Sequence, residues 1–147
     1  MARARVLFVC IGNSCRSQMA EGFALKYGAD VMEPHSAGLA PAGIVAPLTA
    51  KVMLEKNVDM SNHFPKGLEL VPPGPFDLVI NMSGRRMPTP QGVTVEEWKV
   101  RDPIALSEEV YREVANEIEQ RVMRLVLMLR AKRQPPKKPA SVPARRI

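Results

Sequence analysis

Residues Cys10-Ile11-Gly12-Asn13-Ser14-Cys15-Arg16-Ser17 place a cysteine and an arginine at the two ends of a short polar stretch. No other part of the chain constrains the fold as tightly. Arg5 to Cys10 is an apolar run that stops at a Gly/Asn/Ser cluster, as a buried strand entering a loop does. Beyond the loop, Met19, Ala20, Phe23, Ala24 and Tyr27 recur at helical spacing, with Gly28 as a stop. Strand, tight loop and helix therefore follow one another within the first thirty residues.

This order has chemical consequences. The first amides of a helix have no intrahelical partner, so a loop feeding a helix N-terminus is suited to an anion. Gly12 permits a positive φ, and Asn13 tolerates one better than most residues. Arg16 supplies a planar fork matched to two oxygens of a phosphate-like group. Amides, guanidinium and helix dipole together favour a thiolate at Cys10, which can attack phosphorus to give a phospho-cysteine that water then splits. Ser17 either caps the helix or donates to that thiolate. A leaving alkoxide or phenolate needs a proton, and Asp102, in a loop stiffened by Pro103, is the candidate donor.

The other elements are weaker in pattern. Strands are expected at Val31–Ser36, Phe76–Asn81 and Val93–Trp98, with a short one possible at Leu68–Val71. Leu39–Pro47 reads as loop, and Pro47–Lys56 as a short helix with proline in its first turn. Ser107 caps a long helix, with Glu108 and Glu109 in its first turn and an apolar stripe of Val110, Val114, Ile118, Val122, Leu125 and Leu129. Strands alternating with helices argue for an α/β fold, a parallel sheet covered on both faces with the ligand site beyond the carboxyl ends of the strands. The expected organisation is one catalytic domain over residues 1–132 and a Pro-rich basic tail over 133–147.

The net charge of +6 belongs to that tail. From Arg130 onward there are seven bases and no acid, which leaves 14 bases against 15 acids in the body. No stacking aromatics accompany the tail, so no nucleic-acid partner is expected. No apolar run is long enough for a membrane span and no secretory leader is evident, so a cytoplasmic location is expected. Cys10, Cys15, His35 and His63 lack the spacing of a zinc site, and no Walker-type loop is present. No metal or cofactor is expected.

The run from Val6 through Cys10 and Arg16 to Glu21 resembles the motif of low-molecular-weight protein tyrosine phosphatases and their arsenate-reductase relatives. Ser36-Ala37-Gly38, Phe76-Asp77-Leu78-Val79 and Asp102-Pro103 extend the resemblance over roughly residues 5–130. It implies a three-layer sandwich with a four-stranded parallel sheet and helices on both faces. It also implies an oxyanion-binding loop of Ile11, Gly12, Asn13, Ser14, Cys15, Arg16 and Ser17, with Cys10 as nucleophile, Arg16 as clamp and Asp102 as general acid. Asn13 would shape the loop, Ser17 would support the thiolate, and Cys15 would pair with the nucleophile to protect it from overoxidation.

Two features lean towards the arsenate branch. Gln18 stands where the phosphatases usually have proline, and Ile104 and Ala105 stand where tyrosines often shape a phosphotyrosine pocket. Against this, thioredoxin-coupled reductases carry two relay cysteines after the strand ending near Asn81. This chain has Met82-Ser83-Gly84-Arg85-Arg86-Met87 there and only two cysteines in all. A thioether cannot exchange with a disulfide, so reduction would use Cys15 or an external thiol. The expectation is a phosphomonoester hydrolase acting on a phosphorylated protein or small aryl phosphate. The alternative is an arsenate reductase taking arsenate plus an external thiol reductant, and the third reading is a non-catalytic phosphate-binding module.

Overall fold

The computed structural model describes residues 3–133. Four strands, β1 (Ala4–Cys10), β2 (Met32–Gly38), β3 (Leu78–Asn81) and β4 (Thr94–Glu97), form one parallel sheet in the order β2-β1-β3-β4. The helices are α1 (Arg16–Gly28), α2 (Pro47–Glu55) and α3 (Glu108–Arg133). Along the middle of β1, Val6, Leu7, Phe8 and Val9 are all buried, as a strand with neighbours on both sides and cover on both faces requires. The chain leaves β1 for β2 on one side and returns to β3 on the other. The carboxyl end of β1 is thus the switch point at which such sheets hold ligands.

The sheet has helical cover on both faces, as expected, but the two layers are unequal. Val6, Phe8 and Ile80 face a large core built with Phe23 of α1, Met53 of α2 and Ile118 and Val122 of α3. Leu7, Val9, Ala37 and Val79 face a smaller cluster, closed by loop residues Leu39, Val71, Phe76, Met87 and Val93. The helix on that side is a single 3-10 turn at Leu68–Leu70. A short strand is expected there from sequence, and the Pro72-Pro73 pair that follows explains why none extends. The middle of the α3 stripe, Val114, Ile118, Val122 and Leu125, is buried as its spacing predicts, and its ends Val110 and Leu129 are half-buried; Glu108 and Glu109 stand at the helix start and Arg130, Lys132 and Arg133 at its end.

Gly28 does not end α1 by turning left-handed. It is the last helical residue, and a Cβ there would lie 2.5 Å from Val126 Cγ2, so glycine is needed for the α1–α3 approach. Val93–Trp98 shortens to an exposed edge strand, Thr94–Glu97. The basic tail lies outside the described residues. Among those described, no helix is long and apolar enough to cross a membrane.

Gly38 joins the sheet to the polar loop. A Cβ at this position would sit 2.6 Å from the Ile11 carbonyl oxygen and 2.8 Å from the Asn13 amide nitrogen, both backbone atoms that cannot step aside. Gly38→Ala is expected to destabilise the protein by about 1–3 kcal/mol, the range for overpacking. Urea unfolding measures this, and an unchanged midpoint would show that the approach is not tight.

Candidate active site

The loop after β1 is held by its carbonyls. Leu39 N–H donates to Cys10 O at 3.1 Å, Ala40 N–H to Ile11 O at 2.8 Å, and Ala42 N–H to Gly12 O at 2.9 Å. The Ser14 carbonyl accepts from Ala46 N–H at 3.2 Å and from Thr49 Oγ1 at 3.0 Å. Ser14 Oγ donates to Ile44 O at 3.0 Å and accepts from Ala46 N–H at 2.9 Å. The strap Leu39–Ala46 thus takes up the loop's acceptors. Among the described residues, no protein group accepts from the amides of Gly12, Asn13, Ser14 or Cys15. Free donors on a turn that opens a helix form a nest for an anion.

The turn itself departs from expectation at one position. Asn13 carries the positive φ, 50°, and Gly12 does not. The Asn13 side chain stabilises that conformation: Nδ2 donates to Ser17 Oγ at 2.7 Å, and Oδ1 accepts from Lys66 N–H and Gln18 Nε2, each at 3.0 Å. Gln18 Nε2 also donates to Phe64 O at 3.0 Å, so its Oε1 is the acceptor for His63 Nδ1 at 3.0 Å. With Asn13 donating to Ser17, the Ser17 hydroxyl proton is free to donate to Cys10 Sγ, 2.9 Å away. Ser17 is therefore spent on the cysteine. It caps nothing, since α1 starts at Arg16 with Cys15 at the cap position and no side-chain cap bond.

Arg16 is 6% exposed and anchored by one end of its fork. Nη1 donates to Met82 O at 2.6 Å and to Val100 O at 3.1 Å, which leaves Nε and Nη2 as the pair for a ligand. Nη2 lies 3.4 Å from Asp102 Oδ2. Asp102 is 44% exposed at its side chain, and its Oδ1 accepts from Ile104 N–H at 3.1 Å. Cys10, Gly12, Ser14, Cys15 and Arg16 line a cavity of about 260 Å³, together with Ala42, Asp102 and Ile104. The three residues singled out from sequence as chemical, Cys10, Arg16 and Asp102, thus border one small pocket.

Cys15 belongs to the lining of the same cavity, but its thiol is turned to Tyr111. It is 3% exposed and donates to Tyr111 Oη at 3.8 Å. Burial pushes its thiol above the usual cysteine range, outweighing the opposing hydrogen bonds with Thr49 and Tyr111. Burial likewise pushes the Tyr111 phenol up to about 12, with Cys15 adding to it. Both cysteines are free thiols. Sequence reasoning misses Gln18, Gly38, Thr49, Lys66 and Tyr111 as parts of this site. The partners lie 5 to 96 residues apart, and no local pattern links them. His63, which reads from sequence as a residue of a polar loop, is tied to the site through Gln18.

The family model described as low molecular weight phosphotyrosine protein phosphatase matches residues 5–135. The glutaredoxin arsenate reductase of Synechocystis sp. is 37% identical over 126 residues, covering 83% of this chain and 95% of that protein. An arsenate reductase of Bacillus subtilis is 38% identical over 102 residues, covering 67% and 73%. Among solved structures, an arsenate reductase in the phosphate binding state superposes with a TM-score of 0.77 at 35% identity, covering 86% of this chain and 98% of its own. The chain belongs to the low molecular weight phosphotyrosine protein phosphatase family in its broad sense, arsenate reductases included, a family of enzymes that work through a catalytic cysteine.

Proposed function

We propose that this chain reduces arsenate, with Cys10 as nucleophile, Arg16 as clamp and an external thiol as reductant. The observation that carries this reading over phosphotyrosine hydrolysis is the lining of the pocket. Among the described residues no aromatic side chain lines it, and Ile104 is part of its wall. A phenyl ester gains much of its recognition by stacking on rings, whereas a bare tetrahedral anion needs only donors and charge. The relatives named above as arsenate reductases support the same choice.

The Cys10 thiolate attacks arsenic, an S–As bond forms, and one As–O bond breaks. The departing oxygen takes a proton from Asp102 and leaves as water. The thiolate of an external thiol then attacks Cys10 Sγ. The S–As bond breaks with its electron pair going to arsenic, which falls from the +5 to the +3 state and leaves as arsenite. A second thiol attacks the mixed disulfide on Cys10, releasing the reductant's disulfide and restoring the thiolate. Cys15 is a poor resolving group because the thiolate is the reactive form and burial keeps this residue a thiol. Met82 follows β3 directly, its N–H donating to Val9 O at 2.7 Å, and has no thiol to offer.

Hydrolysis of phosphomonoesters is the second reading, favoured by the half-exposed carboxyl of Asp102 beside Arg16. A leaving oxygen in either reaction takes its proton from the same place.

With arsenate and a small thiol, the intact protein is expected to release arsenite, and Cys10→Ser to lower the rate by at least about 1,000-fold. Cys15→Ser should stay within a few-fold of the parent; a collapse there would make Cys15 the resolving thiol. For an aryl phosphate, turnover is expected near pH 6, with Asp102→Asn slowing it by about 100-fold or more, the range for a lost general acid. No turnover by the intact enzyme would remove the hydrolytic reading. Iodoacetamide at neutral pH should alkylate Cys10 and spare Cys15, as peptide mass spectrometry can resolve, because the raised Cys15 value leaves it protonated well above pH 7.

A further inference from the structure

The sheet face opposite α1 and α3 carries an apolar groove of about 430 Å³. Leu7 of β1 and Val79 of β3 form its floor, and two proline-rich segments, residues 71–76 and 87–93, form its walls. The volume is enough for a few side chains of a peptide. Leu68, 36% exposed, also lines it, and the neighbouring Leu70 is 62% exposed. Open apolar surface of this kind, walled on two sides, is the ordinary sign of a binding groove.

One wall is fixed before anything binds. Arg5 Nη1 donates to Pro75 O at 3.1 Å and Nη2 to Pro72 O at 3.3 Å, while Nε is held by Glu33 at 2.8 Å. The guanidinium lies 4.5 Å from the centre of the Phe76 ring. Gly74 has a φ of 120°, and a Cβ there would lie 2.7 Å from Arg5 Nη1, so only glycine lets the turn close on the arginine. The facing segment is turned back by Val93 N–H donating to Pro90 O at 3.3 Å. A preformed groove spends little binding energy on ordering itself.

The chain itself supplies an occupant. Lys132 and Arg133, at the end of α3, line a small cavity at the amino end of the sheet that Asp77 also lines, and Asp77 follows Phe76 of the groove wall. Fourteen residues, 134–147, come after Arg133. They contain one apolar stretch, Pro139-Ala140-Ser141-Val142-Pro143-Ala144, set between Lys137-Lys138 and Arg145-Arg146. Pro139 is six residues beyond Arg133, a reach of about 19 Å for an extended proline-rich segment. A segment tethered this closely is present at millimolar effective concentration, so modest contacts suffice. We propose that residues 139–144 dock in this groove of their own chain, with Val142 over the Leu7 and Val79 floor. Residues 87–93 belong to the loop that opens with Met82, whose carbonyl holds Arg16 Nη1 at 2.6 Å. The docked segment thus bears on the loop that anchors the clamp. The inference is independent of which reaction the pocket catalyses.

The test uses the full chain. With valine methyl groups labelled, NMR is expected to show nuclear Overhauser contacts from Val142 to Val79 or Val93, unchanged on dilution. Limited trypsin digestion, followed by mass spectrometry, gives a second readout through the rate of cleavage after Lys137. Val142→Asp should lose the contacts and be cut there about tenfold faster than the parent, as proteolysis follows the undocked fraction. Met87→Glu, on the groove wall, should do the same. Val142 lies outside the folded body, so its variant keeps the test decisive even where the Met87 variant fails to fold. Absence of the contacts in the parent, or equal cleavage of the parent and Val142→Asp, would overturn the proposal. So would contacts found only between differently labelled molecules in a mixed sample, which would make the occupant a second copy of the chain.

Discussion

The site depends on where one loop's carbonyls go. A turn of five residues at a strand end could present either its N–H or its C=O groups to a ligand. Here the strap Leu39–Ala46 accepts no ambiguity: its amides take the carbonyls of Cys10, Ile11, Gly12 and Ser14. What the loop has left to offer is a set of N–H donors. Gly38 allows the strap to lie close enough, since any Cβ would strike the loop backbone. The candidate anion site is thus built by two segments, one supplying donors and the other making them free.

The polar interior behind the loop follows from the same geometry. Asn13 in a left-handed conformation brings its amide onto Ser17, and Ser17 in turn reaches Cys10. Each group in that sequence has its orientation fixed by a second partner. Lys66 N–H holds Asn13 Oδ1, Phe64 O holds Gln18 Nε2, and His63 meets Gln18 Oε1. Buried polar side chains with every direction assigned are costly to disturb, because each removal leaves a neighbour unsatisfied. The same rule explains Arg16, whose Nη1 is committed to two backbone carbonyls from different parts of the sheet edge.

Much of this architecture was legible in the chain. Val6 to Cys10 read as a buried strand because both alternating faces are apolar, and the α3 stripe read as a helix because its spacing admits nothing else. Cys10 and Arg16 were legible as a pair because a strand before them and a helix after them leave the intervening amides unpartnered. Asp102 was legible only as a polar residue in a Pro-stiffened loop; its place beside Arg16 is a tertiary fact. Leu68–Val71 admits a short strand on sequence because four residues carry too little periodicity, and the following prolines decide for the 3-10 turn at Leu68–Leu70. Gln18 and Gly38 were invisible in their roles. One acts through a side chain reaching Phe64, the other through the absence of a side chain, and neither leaves a local pattern.

A pocket made of backbone amides and one anchored arginine recognises charge and tetrahedral shape and nothing else. Phosphate has both, and it is the commoner anion in any cell. Under the proposed reading, capture therefore cannot be selective, and ambient phosphate competes for the site at all times. Selection has to come afterwards, from the element bonded to sulfur. Arsenic accepts the electron pair when a thiol attacks Cys10, whereas phosphorus does not. The rigid cradle described here leaves discrimination to the redox chemistry of the bound atom, a filter set by the periodic table rather than by the protein.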